Sequence, residues 1–362
     1  MARVPRLPWA AQQASLLRTR LPRVPETDVL LGLVAGALAP STISTSSSRW
    51  TQFERFCRER RLRALPATPE KVALFVTSLF ASGSVKPDSV GPYISAINTA
   101  HRDVLAAEPG GAALVKQVRA GWRRRVCGEP GVQRDRRLPL PASVALRVLR
   151  AGLELAQQPM PRLLKAQLLR PLVVVALTFA TLMRAGSAVP LARDDVSIGA
   201  VEAVVRPRSI KGGQLRSVLP SPKRLPKQHC RDLHLLLLNW RVAQNEAFEA
   251  ARVTPPPRAA AGSQWGLPRE TLKDASKLAT QWVEDACARL NVKPPLGGKY
   301  TSHSLRKGGA SAAYAVGVNL RDLCDLGDWA PGSPVPMKHY IDLSVVACDA
   351  ARAFFGFRVR AG

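Results

Sequence analysis

The stretch Tyr300–Tyr340, YTSHSLRKGGASAAYAVGVNLRDLCDLGDWAPGSPVPMKHY, constrains this chain more than any other. His303 and Arg306 stand one helical turn apart, a spacing that projects an imidazole and a guanidinium from one helix face. The pair Gly308-Gly309 follows, then an apolar-periodic segment, then Leu326-Gly327-Asp328-Trp329, and finally Tyr340. Pro331, Pro334 and Pro336 lie between Trp329 and Tyr340 and cannot continue a helix. The sequence therefore predicts a stiff loop with Tyr340 opening a short helix after it.

Charge sets the partner. Lys and Arg number 53 against 26 acidic residues, a net +27. Such a surplus points to a polyanion, because each Lys or Arg that neutralises a phosphate adds affinity. With 46% hydrophobic residues the chain is also rich enough in apolar side chains to bury cores, and 362 residues give room for two domains. Six scattered cysteines without a C-x-x-C pair read as reduced core thiols of a cytosolic or nuclear protein. The longest apolar runs, Val29–Ala39 and Leu172–Ala180, are too short to span a membrane. Residues 1–25 hold five arginines and no acid, a composition shared by transit peptides and by disordered basic arms.

Read in order, residues 1–40 carry no periodicity and are expected to be a basic, disordered arm. Ser41–Ser48 offers N-caps for a helix bearing Trp50, Phe53, Phe56 and Cys57 at helical spacing. Further helices are expected over Pro69–Ser82, Asp88–Leu105 and Ala112–Arg125, making 41–128 a small helical domain. Arg119, Arg123, Arg124, Arg125, Arg134, Arg136 and Arg137 crowd the junction that follows. Gly128, Pro130 and Gly131 break the helix there, so 129–140 reads as a basic linker lying across phosphates.

The second domain, 141–362, begins with helices over Pro141–Gly152 and Pro161–Met183. The run Val201–Arg208, the turn Lys211-Gly212-Gly213 and the run Gln214–Leu219 predict a hairpin with Lys211 at its tip. Helices over His229–Arg252 and Thr271–Leu290 lead back to the opening stretch. His229, Cys230 and His234 lack the carboxylate or further cysteine support of a metal site. Tyr300 and Tyr314 read as packing residues.

Together these pieces resemble the tyrosine recombinases, the integrase-like enzymes that cut and rejoin DNA. The H-x-x-R helix, the Gly-Trp element and the following tyrosine match the family's catalytic core. LTFATLMRAGSAVPLARDDV resembles its first catalytic box, with Arg184 in the arginine position and Leu191 with Asp194 or Asp195 completing the pattern. I-K-G-G-x-x-R-x-V-x-P resembles the lysine hairpin. One departure stands out: the family has an acid three positions after that arginine, and here Ser187 occupies it.

The resemblance implies a mainly α fold with a small β-hairpin or sheet (α+β). In it a helical core-binding domain precedes the catalytic domain, and the two clamp duplex DNA. It implies a catalytic set of Arg184, Lys211, His303, Arg306, Trp329 and Tyr340. It also implies a homo-tetramer on paired DNA sites, a short apolar C-terminal helix (Val345–Phe357) that docks on a neighbouring protomer, and neither cofactor nor membrane. The location is the nucleus in a eukaryote and the cytoplasm or nucleoid in a bacterium.

The chemistry suits those residue types. Two always-ionised guanidiniums clamp the non-bridging oxygens of a pentacoordinate phosphorus. An ordinary tyrosine ionises near pH ~10, so its attack needs cationic neighbours and a base. His303 is the candidate base, Lys211 the candidate acid for the departing 5′ oxygen, and Trp329 a packing residue whose indole N–H donates to the phosphate. No acidic cluster implies a divalent metal. Two other readings share the pattern: a DNA-binding descendant without activity, suggested by Ser187, and a type IB topoisomerase.

Overall fold

A computed structural model of the protein describes residues 22, 24–36, 40–105, 107–128, 136–208, 221–253, 264–268, 272, 274–295, 298–342 and 348–355. The chain divides into two units, Met1–Val132 and Gln133–Gly362. The architecture is helical with one small antiparallel sheet, the fold class expected from the sequence.

In the first unit, α1 (Pro25–Gly36) falls inside the stretch expected to be disordered. Pro25 suits a first helical position, and Glu26 and Asp28 in the first turn complement the helix dipole. Helix α2 (Pro40–Glu59) runs through the serine tract instead of being capped by it. Ile43 is buried and anchors that early turn, and the Thr51 hydroxyl returns to the Ser47 carbonyl at 2.9 Å. Around Trp50, Phe53, Phe56 and Cys57 pack α3 (Pro69–Ala81), α4 (Gly91–Leu105) and α5 (Ala113–Gly128). The ring of Phe75 sits edge-on to Phe53 with centroids 5.2 Å apart. His101, fully buried, accepts from the Ala67 amide at 2.7 Å through Nε2 while Nδ1 meets the Ile97 carbonyl. Burial lowers its pKa, so this histidine is a neutral structural strut.

The second unit is built on α7 (Arg162–Thr181), which packs against α6 (Ala142–Gln157), α9 (Arg231–Ala250), α10 (Ala275–Arg289) and α11 (Ser302–Ala315). That central place explains why α7 is apolar all round from Pro171 to Thr181. By length and composition it qualifies to cross a membrane, yet most of it is buried among these neighbours.

The glycine pair has a steric reason. A Cβ on Gly309 would lie 2.1 Å from the Phe179 carbonyl oxygen, and one on Gly308 would lie 2.0 Å from that of Leu140. Only glycines let α11 settle on the α7 backbone and on the segment before α6.

The sheet has the order β2-β3-β4: β2 (Val196–Ile198), β3 (Glu202–Val205) and β4 (Lys223–Pro226), all antiparallel. Strand β3 pairs with β4 in register Ala203↔Leu225. The expected second run of the hairpin, Gln214–Leu219, lies outside the described residues. The alternation in K-R-L-P, with Lys223 and Leu225 inward, was masked because its first inward residue is a lysine. Lys211 lies outside the described residues.

Part of the expected linker is a strand. Arg136–Arg137 (β1) pairs in parallel with Gly298–Lys299 (β5), and Leu140 donates to the Ser304 carbonyl at 2.9 Å. Helix α13 (Cys348–Phe354), expected to reach a neighbour, packs on α6 and α11 of its own unit, with Phe354 edge-on to Phe179 at 4.8 Å.

Candidate active site

The site is assembled from four pieces of the second unit. Helix α7 ends at Leu182, which adopts a left-handed conformation (φ 53°), and the next extended residue, Arg184, caps the short α8 (Ala185–Ala188). Its carbonyl accepts from the Ser187 and Ala188 amides, which turns the Arg184 side chain to a cavity of about 680 Å³. Helix α11 supplies His303 and Arg306 to the same cavity, and Tyr340 closes it. At the start of α11 the Ser304 hydroxyl accepts from the Thr301 amide at 2.9 Å and the Thr301 carbonyl from the Ser304 amide at 2.8 Å, which fixes where His303 emerges.

Arg306 is the floor, 1% exposed. One terminal nitrogen donates to the Leu182 carbonyl and the other to that of Gly327. Its guanidinium carbon lies 4.0 Å from the Trp329 ring centroid and 5.3 Å from that of Tyr340. Burial, then repulsion from Arg184, pulls its pKa down to about 10, which leaves it ionised at neutral pH. No carboxylate ion pair to Arg306 occurs among the described residues. Both the Arg306 Nε and the indole nitrogen of Trp329 are buried without an acceptor there. The pair thus holds two buried N–H donors with no acceptor among the described residues.

Trp329 follows the α12 (Leu320–Leu326) terminus. Its amide donates to the Cys324 carbonyl at 2.9 Å, and its ring meets Tyr340 edge-on at 4.9 Å. Gly327 makes room: a Cβ there would lie 2.0 Å from the indole. Tyr340 closes a single wide turn, Pro336–Tyr340, instead of opening a helix. The Ser311 hydroxyl donates to the Tyr340 carbonyl at 3.1 Å and accepts from the Asp342 amide at 2.8 Å, tying the turn to α11. The Tyr340 hydroxyl is near enough to Arg306 that a phenolate there would reinforce the guanidinium charge.

His303 opens towards the cavity. Partial burial of its ring lowers its pKa, and Arg137, Arg306, Arg184 and Lys307 lower it further. The imidazole is therefore neutral and an acceptor at neutral pH. Arg137 reaches this site through β1, where the sequence placed it only in a basic strap. Arg123, Arg124 and Arg125 are exposed on α5 in the first unit, Arg119 is half-buried there, and Arg134 and the Arg136 side chain lie outside the described parts. Ser187 lines the cavity where the family pattern has an acid. Of the two aspartates, Asp195 is structural: its carboxylate takes the Ala192 amide at 2.7 Å and Arg208 at 2.6 Å.

Solved structures share this arrangement of elements. A XerH site-specific recombinase bound to palindromic difH substrate, in a post-cleavage complex, superposes with TM-score 0.56 at 11% identity, covering 96% of this chain and 91% of that one. A pre-cleavage XerH complex with difH gives 0.54 at 13% identity, covering 97% and 92%. The fold is that of the tyrosine recombinases. No family model matches the sequence, and no curated protein does. Within the recombinase fold Arg184, His303, Arg306, Trp329 and Tyr340 converge, and sequence reasoning had named each of them. It missed Lys223, whose ammonium is buried against Asp328 and the Asp325 carbonyl, and gave Arg137 a place in the basic strap alone. A buried lysine at the start of a strand has no sequence signal that distinguishes it from the other basic residues of a +27 chain.

Proposed function

We propose that the protein is a metal-independent DNA strand transferase of the site-specific recombinase or integrase type, acting on duplex DNA. The observation that carries this is the buried, ionised Arg306 with an unspent Nε–H, stacked on Trp329, beneath a tyrosine and a neutral histidine. A guanidinium has five N–H donors, and two go to carbonyls. The rest, with Arg184, suit a scissile phosphate whose charge grows on its non-bridging oxygens.

In the reaction, the Tyr340 oxygen attacks phosphorus as His303 takes its proton. The new O–P bond leaves a 3′-phosphotyrosine, and the bond to the 5′ oxygen breaks as Lys211 protonates that oxygen. Religation runs the same steps in reverse. Trp329 packs the site and donates its indole N–H to the phosphate. Exposed arginines on α5 contribute backbone contacts without sequence preference, and the working assembly is a tetramer on paired sites.

The test is a nicked suicide duplex that loses its 5′ end on cleavage, incubated with the full chain in EDTA. The expected outcome is a covalent protein–DNA adduct. No adduct across a random-site library would leave the non-catalytic reading, which Ser187 in the cavity wall favours. Relaxation of supercoiled plasmid by monomer would favour the topoisomerase reading.

A further inference from the structure

Beside Trp329 in the chain lies a buried ion pair that the chemistry above does not use. Lys223 opens β4 with a side chain 1% exposed, and its ammonium donates to Asp328 Oδ1 at 2.6 Å and to the Asp325 carbonyl at 3.0 Å. Asp328, 7% exposed, holds a left-handed backbone (φ 50°). Its two chain neighbours both touch Arg306: the Gly327 carbonyl accepts from it and the Trp329 ring stacks on it.

We propose that Lys223 is a positioning residue that keeps Asp328 from capturing Arg306. The inference rests on the strand-transfer reading of the site. A buried ion pair is a poor device for stability alone, since a well-packed apolar pair does as well. Its consequence here is electrostatic. Asp328 attracts Arg306 and Arg306 repels Lys223, so all three charges share one field. Burial works against the Lys223 charge and Asp328 sustains it. With Lys223 in place, the Asp328 carboxylate is satisfied from the sheet side, and the guanidinium turns its remaining donors to the cavity. Without it, Asp328 would be a buried, unpaired carboxylate within electrostatic reach of Arg306. The positive charge meant for the phosphate would then be cancelled inside the protein.

Lys223 itself is not a candidate acid for the leaving oxygen. Two of its three protons go to Asp328 and Asp325, and it does not line the cavity. The sheet thereby gains a functional role: β4 fixes the charge state of a corner formed by α12 and Trp329.

Full-length wild type, Lys223→Met and Lys223→Met/Asp328→Asn are compared in two assays. The first is single-turnover adduct formation at saturating duplex, alongside duplex affinity. The second is calorimetric titration with orthovanadate, an oxyanion that mimics the transferring phosphate. Lys223→Met should lose about 100-fold in adduct rate, the scale of one electrostatic contact to a transition state, with duplex affinity unchanged and vanadate binding weakened. The double variant, which has no buried charge to leave unpaired, should recover both. A purely structural role would restore folding in the double variant without this split between rate and affinity.

A wild-type rate in Lys223→Met overturns the inference, as does a double variant as slow as the single. If Lys223→Met does not fold, the double variant decides alone: a rate near wild type supports the inference, and a rate about 100-fold down overturns it. If wild type forms no adduct, the strand-transfer reading fails separately. The vanadate pattern then supports the inference where it follows the order given, and overturns it where the three proteins bind alike or not at all.

Discussion

The guanidinium of Arg306 lies flat over the indole of Trp329, 4.0 Å from its ring centroid, while its two terminal nitrogens clasp the carbonyls of Leu182 and Gly327. This contact joins the end of α7 to the loop after α12 through one side chain of α11. It needs a planar, delocalised cation, which lysine is not. In the proposed reaction the same side chain receives the phosphate, so packing and chemistry would be set by one residue.

Seating α11 on α7 depends on Gly309. Gly309→Ala would put a methyl 2.1 Å from the Phe179 carbonyl and 2.6 Å from Leu182 Cδ2. Overpacking of this kind costs about 1–3 kcal/mol, and the backbone that shifts also carries the carbonyl held by Arg306. Thermal denaturation should show a lower Tm, with adduct formation reduced beyond the loss of folded protein. An unchanged Tm would contradict the close packing.

His303 should titrate below the ordinary histidine value of ~6.5, because burial and four neighbouring cations disfavour the imidazolium. NMR titration of the free protein measures it directly. Between the folded and ordinary values the unfolded chain binds a proton that the folded chain does not. This contribution to stability is thus present above ~6.5 and is lost as pH falls through the lowered value. Bound duplex should raise the value, since phosphate neutralises the cations. A free-protein value above ~6.5 would refute the electrostatic account.

Duplex affinity should fall steeply with salt. Arg124 and Arg125 are exposed on α5, and the pair between Arg123 and Asp88 is exposed on both sides, so it withholds little. Replacing all three arginines with Ala should flatten the log–log salt slope by about 0.9 for each phosphate that is no longer neutralised. An unchanged slope and affinity would remove α5 from the DNA interface.

What the sequence made legible was what local patterning determines. Trp50, Phe53, Phe56 and Cys57 announced a buried face, and the expected His303–Arg306 face is the one that meets Arg184 in the cavity. Three things were hidden, each for a physical reason. The start of α2 was hidden because a serine tract usually caps helices and here rides inside one, held by Ile43 and by bonds back to its own turn. Strand β4 was hidden because its inward residue is Lys223, polar by type but buried by a tertiary ion pair. Strand β1 was hidden because two residues pairing with a segment far along the chain leave no local periodicity.

In the proposed reaction Lys211 is the acid that protonates the 5′ oxygen. Lys211→Ala should leave duplex affinity nearly intact, because it removes one cation of a +27 chain. Cleavage should slow by about 100- to 10,000-fold, the usual contribution of a general acid. A substrate with a bridging 5′ sulfur, whose leaving group needs no proton, should restore the rate. Without that rescue Lys211 is a phosphate contact and nothing more.

The central claim is that Tyr340 is the nucleophile. The most direct measurement is peptide mapping of the covalent adduct trapped on a suicide duplex, in parallel with Tyr340→Phe. That substitution keeps the ring edge-on to Trp329 and 5.3 Å from the Arg306 guanidinium carbon, and removes only the attacking oxygen. The account predicts an adduct through a 3′ phosphate on the peptide containing Tyr340, a free 5′ hydroxyl on the released strand, and no adduct from Tyr340→Phe, which still folds and binds duplex. Tyr300→Phe and Tyr314→Phe should cleave like wild type. An adduct that persists in Tyr340→Phe, or that maps to another tyrosine, would contradict it.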